Sequence, residues 1–219
     1  MVVTILGSTG SIGVNTLDVI RQHTGEFQVY GLVAGKNLEL LCSQIREFRP
    51  AIVTVADDST LDSLRKRLLE EGTRRKDWPE LTAGPQARIA VATANEVNFV
   101  MSAIVGVAGL EATYAAIQSK KRVGLANKEV LVASGRLVME AVAESGAELI
   151  PVDSEHNGAH QCFRGGRRSE VTRLILTASG GPFRETPADE LWKVTPEAAL
   201  THPTWRMGRR ITIDSATLM

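Results

Sequence analysis

Val2-Val-Thr-Ile-Leu6 runs directly into Gly7-Ser-Thr-Gly10-Ser-Ile-Gly13, and this junction sets the expectation for the fold of the 219-residue chain. Of Val2–Leu6 all but Thr4 are apolar and all but Leu6 are β-branched, which suits a buried strand. The segment that follows, residues 11–23, has apolar residues three or four apart and is expected to be helical. A strand, a glycine-rich turn and a helix start in that order make an anion site. The amides of the first helical turn have no intrahelical acceptor and carry the positive end of the helix dipole, so they can hold a pyrophosphate. The spacing is G-x-x-G-x-x-G rather than the commoner G-x-G-x-x-G, and a merely tight strand-to-helix turn is the alternative.

The surroundings support the nucleotide reading. Val, Ile and Leu runs at Val2–Leu6, Gln28–Val33, Ile52–Val55, Arg122–Leu125 and residues 89–91, 103–105 and 148–151 are candidate strands. Between them, residues 11–23, 38–48, 59–71, 110–120 and 128–144 have helical length and period. This alternation predicts an α/β fold, a Rossmann-like, doubly wound, mostly parallel sheet over residues 1–150. Residues 71–86 are polar, lack a period and read as a surface excursion. After Pro151 the character changes. A strand over 171–177, the turn Ser179-Gly-Gly-Pro and a strand over 210–213 predict that residues 151–219 form the first part of an α/β catalytic domain.

Composition narrows the function classes. Lysine plus arginine number 25, aspartate plus glutamate 25, so the formal charge is zero and no basic excess points to nucleic acid. No apolar stretch approaches the roughly 20 residues that span a bilayer, and residues 1–6 read as a strand rather than a secretion signal. A cytoplasmic protein without membrane partners is expected. Cys42 and Cys162 are too few for a disulfide framework.

The end of the second strand indicates the cofactor. An acid there would bind a ribose 2′-hydroxyl, whereas a cation accommodates a 2′-phosphate. The sequence reads Ala34-Gly35-Lys36-Asn37, which predicts NADPH; a merely solvated Lys36 is the alternative.

A second constellation follows the last strand of the sheet, at Pro151-Val-Asp153-Ser154-Glu155-His156-Asn157. Two carboxylates at such a corner can share a hard divalent cation, Mg²⁺ or Mn²⁺ rather than Zn²⁺. An equally ordinary use is Asp153 capping the next helix with Glu155 in its first turn. Ala126-Asn127-Lys128-Glu129 places an ammonium group at the same rim. Ser179 and Ser215, each after an expected strand, could help cradle a phosphate. His202-Pro-Thr-Trp205-Arg-Met207-Gly208 suits a cover over a small ligand. His156 and His160 stand four apart, but Glu155 lies outside the pair, unlike H-E-x-x-H, so a structural or orienting role is expected. His23 reads as a surface residue at a helix end.

Gly7-Ser-Thr-Gly-Ser-Ile-Gly, Ala126-Asn-Lys-Glu, Pro151-Val-Asp-Ser-Glu-His-Asn, Leu176-Thr-Ala-Ser-Gly-Gly-Pro-Phe-Arg, His202-Pro-Thr-Trp-Arg-Met-Gly and Asp214-Ser-Ala-Thr, in that order, closely resemble the 1-deoxy-D-xylulose 5-phosphate reductoisomerase family. The resemblance covers the whole chain. It implies conversion of 1-deoxy-D-xylulose 5-phosphate to 2-C-methyl-D-erythritol 4-phosphate in non-mevalonate isoprenoid synthesis, with NADPH, a divalent metal (Mn²⁺, Mg²⁺ or Co²⁺) and a homodimer. It implies NADPH contacts at Thr9, Gly10, Ser11, Ile12, Gly35, Lys36, Asn37, Asn127 and Glu129, and metal ligands at Asp153 and Glu155. It implies substrate contacts at Lys128, Ser154, Glu155, Ser179, His202 and Ser215, with Gly208 beside substrate and cofactor and Trp205 and Met207 on a closing flap. Lys128, Asp153, Glu155 and His202 would carry the chemistry. The family pattern continues past Ser215-Ala-Thr with Asn-Lys, a further Glu, the rest of the catalytic domain and a helical domain. The 219 residues are therefore expected to bind NADPH better than they turn over substrate. Competing readings are a catalytically silent NADP-binding module and a zinc hydrolase using His156 and His160.

Overall fold

Alternate residues of a strand face opposite sides of a sheet, and in β1 (Val2–Leu6) both sides are buried. Val3 and Ile5 enter one apolar cluster and Leu6 the other. The computed structural model describes residues 1–177, 180–206, 208–209 and 212–213. The chain divides into two compact units, Met1–His160 and Gln161–Met219.

In the first unit β1 is followed by α1 (Ser11–Gln22), β2 (Gln28–Val33), α2 (Leu38–Phe48), β3 (Ile52–Val55), α3 (Asp58–Glu70), β4 (Glu80–Ala83) and α4 (Gly84–Thr93). Then come β5 (Phe99–Ser102), α5 (Leu110–Gln118), β6 (Arg122–Leu125), α6 (Glu129–Ser145), β7 (Leu149–Pro151) and the start of α7 (Ser154–Arg164). The seven strands form one sheet in the order β4-β3-β2-β1-β5-β6-β7, and every neighbouring pair is parallel. One cluster packs Leu17 and Ile20 of α1, Leu41 and Ile45 of α2, and Leu61, Leu64 and Leu68 of α3 against the sheet. The other packs Val91 of α4, Ala112, Ala116 and Ile117 of α5, and Val130 and Val138 of α6. The sheet is therefore doubly wound, as expected, and entirely parallel. Leu41 and Leu64 are wholly buried, and truncating either to Ala would cost about 2–5 kcal/mol.

Two expected strands are corrected. Residues 89–91 lie inside helix α4. Gly84, at φ +88°, turns the chain out of β4, Pro85 occupies the first turn, and the alanine-rich run that follows favours a helix burying Val91 and Ala92. The strand expected at 103–105 is β5, at Phe99–Ser102, paired with β1 from Val3 to Leu6. The Asn98 side chain accepts the Val2 amide at 3.1 Å and sets that register. Val105 is exposed in the turn beyond.

The expected surface excursion contains β4. Its Glu-Leu-Thr-Ala sequence is only half-buried, and it pairs with β3 alone, Ile52 opposite Glu80. Edge strands tolerate polar residues and a preceding proline, here Pro79, which hides them from pattern reading.

In the second unit residues 171–177 are exposed and have no strand structure. A strand exists only as a member of a ladder, and no described residue pairs with this segment. Helix α8 (Pro196–Ala199) begins at Thr195, whose hydroxyl accepts the Ala198 amide at 3.2 Å. Of the strand expected over 210–213, residues 210 and 211 lie outside the described residues, and Thr212 and Ile213 are helical.

Candidate functional site

All strands of the first unit run the same way, so the loops after β1, β2, β3, β5, β6 and β7 leave one rim of the sheet. Consecutive strands are added outward from β1 on one side and then, from β5, on the other, which makes the β1/β5 boundary the switch point where such sheets bind ligands.

The glycine-rich loop sits on that boundary. The Gly7 and Ser8 amides donate to the Val33 carbonyl at 2.8 and 2.9 Å, tying the loop to the end of β2. Gly7 has φ +89°, and a Cβ there would lie 2.6 Å from the Ala103 carbonyl oxygen. A Cβ on Gly13 would lie 2.3 Å from the Gly7 carbonyl oxygen, so both positions require glycine. Gly10 caps α1 without a side-chain hydrogen bond, and no acidic residue stands in its first turn. The Gly10 amide donates to the Gly7 carbonyl at 3.1 Å, while the amides of Thr9, Ser11 and Ile12 have no acceptor among the described residues, which suits a bound anion.

At the end of β2, Gly35, Lys36 and Asn37 are exposed. The Asn37 side-chain oxygen caps α2 by accepting the Leu40 amide at 3.2 Å, which leaves its amide group as a donor. Asp57, at the end of neighbouring β3, was not singled out from sequence. Its carboxylate accepts from the Ser59 hydroxyl, the Thr60 amide and the Thr60 hydroxyl, and these bonds, with a smaller contribution from Lys36, hold its pKa down at about 2. The Asp57-Asp-Ser-Thr60 cap was the available signal.

After β6, Asn127 is buried. Its amide nitrogen donates to the Ile104 and Gly106 carbonyls, and its backbone amide lies 3.3 Å from the Ser102 carbonyl. Beneath it the Ser102 and Thr113 hydroxyls are bonded at 2.7 Å. The Asn127 side-chain oxygen is buried without a partner among the described residues. An acceptor so fixed fits a ligand donor arriving at the rim. Lys128 is half-buried at the start of α6, and Glu129 is the first residue of that helix. The helix departs from helical geometry at Ser134, φ −144° and ψ 29°.

After β7, Asp153 caps α7: its Oδ1 accepts the His156 amide at 2.8 Å and lies 2.7 Å from His156 Nδ1. This is the capping use anticipated as the alternative, and it gives His156 an orienting contact. Ser154 and Glu155 are exposed in the first turn. Among the described residues no three of His, Cys, Asp and Glu already converge on a cation position. The donor set is nonetheless hard oxygen. Magnesium commonly takes one or two protein carboxylates and fills its octahedron with water and substrate, a pattern that Asp153 and Glu155 fit. His160 has a buried Nε2 without a partner among the described residues.

In the second unit, His202 Nδ1 accepts the Thr204 and Trp205 amides at 3.1 and 3.0 Å, so its ring organises the following turn. Trp205 is 60% exposed. The Gly208 carbonyl accepts the Thr212 amide at 3.0 Å. Ser179, Met207 and Ser215 lie outside the described residues. Ser8 and Gln44, both buried at the loop, were also missed from sequence, since neither residue type at its position signals a site.

A family model described as 1-deoxy-D-xylulose 5-phosphate reductoisomerase matches residues 3–135, and one described as the C-terminal domain of that enzyme matches 149–219. The chain belongs to the 1-deoxy-D-xylulose 5-phosphate reductoisomerase family. A reductoisomerase of Solibacter usitatus is 63% identical over 217 residues, covering 99% of this chain and 55% of that protein. One of Prosthecochloris aestuarii is 52% identical over 215 residues, covering 98% and 55%. The chain thus spans about half the length of the curated reductoisomerases it matches. The Zymomonas mobilis reductoisomerase in complex with NADPH superposes with a TM-score of 0.85 at 43% identity, covering 98% of this chain and 54% of that one. A reductoisomerase in complex with NADPH, fosmidomycin and magnesium gives 0.83 at 34% identity, covering 99% and 54%.

Proposed function

We propose that this chain supplies the NADPH site and the metal-binding carboxylates of an enzyme that isomerises and reduces 1-deoxy-D-xylulose 5-phosphate to 2-C-methyl-D-erythritol 4-phosphate. The observation that carries the reading is one shared rim. An uncapped helix start, a cation at the end of β2, a buried unpartnered Asn127 oxygen and the Asp153/Glu155 carboxylates all stand at the carboxyl ends of strands in one parallel sheet. The relatives solved with NADPH and with magnesium support the cofactor assignment.

In this reading Thr9, Gly10, Ser11 and Ile12 hold the pyrophosphate, and Gly35, Lys36 and Asn37 receive the 2′-phosphate. Asn127 and Glu129 orient the nicotinamide half, and Gly208 is a further cofactor contact by the resemblance. Asp153 and Glu155 hold the divalent cation. A bound cation supplies Lewis-acid activation of the substrate carbonyl, and bound NADPH supplies the hydride. Lys128 places positive charge beside the oxygen on which negative charge develops. Ser154, Ser179, His202 and Ser215 bind the sugar phosphate, while Trp205 and Met207 exclude water as they close over it. Residues 1–150 serve as the cofactor domain and 151–219 as the beginning of the catalytic domain. The resemblance further implies a homodimer, which sedimentation of the purified chain checks.

Titration of the chain with NADPH and NADH, followed by nicotinamide fluorescence, tests the cofactor assignment, and NADPH oxidation with substrate and Mn²⁺ tests the reaction. Saturable binding with NADPH at least tenfold tighter than NADH is expected, by the added phosphate pairing. Equal affinity for the two, or no binding, overturns the reading.

A further inference from the structure

The face of α2 that packs on the sheet carries one polar residue among apolar ones. Leu41, Cys42 and Ile45 are buried there, and so is Gln44, at 5% exposure. A buried amide costs stability unless it is hydrogen-bonded. The Gln44 Nε2 donates to the Ser8 carbonyl at 2.8 Å, across thirty-six residues of chain. Its Oε1 is buried without a partner among the described residues, so its acceptor is unused. For packing alone, Leu or Met would serve better at this position.

Ser8 is held at both ends, since its amide donates to the Val33 carbonyl at 2.9 Å while its carbonyl accepts from Gln44. The Ser8 carbonyl and the Thr9 amide belong to one planar trans peptide, in which C=O and N–H point in opposite directions. A donor that draws the carbonyl toward α2 therefore turns the Thr9 N–H away from α2. That N–H has no acceptor among the described residues.

We propose that Gln44 is a positioning residue: by holding the Ser8 carbonyl it aims the Thr9 amide at the pyrophosphate of the bound dinucleotide. This rests on the NADPH reading above. Gln44 touches no part of the cofactor; it acts through the orientation of one peptide plane.

The test is Gln44→Met, which keeps the volume and removes the donor. Two ligands are titrated by calorimetry into wild type and variant: NADPH, and adenosine 2′-monophosphate, which carries the 2′-phosphate and lacks the pyrophosphate. NADPH affinity is expected to fall about tenfold, the usual effect of losing one hydrogen bond that organises a charged contact. Affinity for adenosine 2′-monophosphate and the melting temperature are expected to be unchanged. A parallel loss of both ligands, or a clear drop in melting temperature, overturns the proposal in favour of a purely structural role. Unchanged NADPH affinity overturns the positioning role alone and leaves the cofactor reading intact. Failure of the wild-type chain to bind NADPH removes the cofactor reading and the proposal with it. If Gln44→Met does not fold, Gln44→Asn, whose amide is one methylene short of Ser8, is expected to show the same selective loss; failure of both to fold assigns Gln44 to the core and overturns the proposal.

Discussion

One oxygen of Asp153 serves two partners on His156, accepting its backbone amide at 2.8 Å and lying 2.7 Å from its Nδ1. The other oxygen, Oδ2, makes no hydrogen bond among the described residues and is the one a cation would take. Under the proposed function, capping and metal binding would therefore fall to different oxygens of one side chain. Asp153→Asn keeps a good helix cap, so its melting temperature should stay within about 2 °C of wild type, while Mn²⁺ affinity measured by electron paramagnetic resonance falls at least about tenfold. Asp153→Ala should lose the cap as well and melt about 2–4 °C lower. If the Asp153→Asn variant binds Mn²⁺ as wild type does, Asp153 is removed from the metal site.

Lys36 faces solvent at the end of β2, with Asp57 close enough to feel its charge. Reversing that charge opposes a 2′-phosphate and leaves a 2′-hydroxyl with an acceptor. Lys36→Glu should weaken NADPH binding about tenfold or more and leave NADH binding unchanged or improved. Fluorescence titration with both nucleotides reads the ratio, and an unchanged ratio would show that Lys36 is only a solvated surface residue.

Asp57 offers a pH signature. Its folded pKa, at about 2, lies below the usual value near 4 because Ser59 and Thr60 donate to the charged form. A depressed carboxyl stabilises the fold above its unfolded pKa, and that stabilisation is lost as pH falls through the folded value. Asp57→Asn keeps a neutral cap. Its melting temperature should trail wild type most above about pH 4 and converge with it toward about pH 2. The carboxylate is exposed, so the gap should be small and shrink further with added salt. A gap that does not change with pH would assign the effect to geometry rather than charge.

The two cysteines should differ sharply in reactivity. Cys42 is buried between α2 and the sheet, and burial, with Glu71 adding to it, pushes its thiol up to about 11. Cys162 is exposed on α7. At pH 8 a disulfide reagent should titrate about one thiol per native chain, because the thiolate is the reactive form. Denaturation should release the second. Two fast thiols in the native chain would mean that α2 opens readily.

Much of the sheet and the rim is legible in the order of residues. Val2–Leu6, Gln28–Val33, Ile52–Val55 and Arg122–Leu125 are strands with the expected bounds, and Leu38–Phe48 is a helix with the expected bounds. The glycines at 7 and 13 follow from the close approach of backbone that the loop demands. Features that depend on a neighbour distant in sequence were not legible. Residues 80–83 become a strand because β3 offers them a ladder, and 171–177 do not because no described residue does. The apolar triplet at 89–91 suits a buried strand and a buried helix equally well, and the positive φ of Gly84 with Pro85 favours the helix.

Local order of residues was enough to place a glycine-rich helix start after β1, a cation at the end of β2 and a pair of carboxylates after β7, because each rests on contacts within a few positions of the chain. How those groups are aimed depended on three-dimensional packing. Gln44 turns the Ser8–Thr9 peptide from thirty-six residues away, and Asn127 is oriented by carbonyls of Ile104 and Gly106. Hydrogen bonds are directional and act over about 3 Å, so a partner that folding brings near leaves no periodic trace in the sequence.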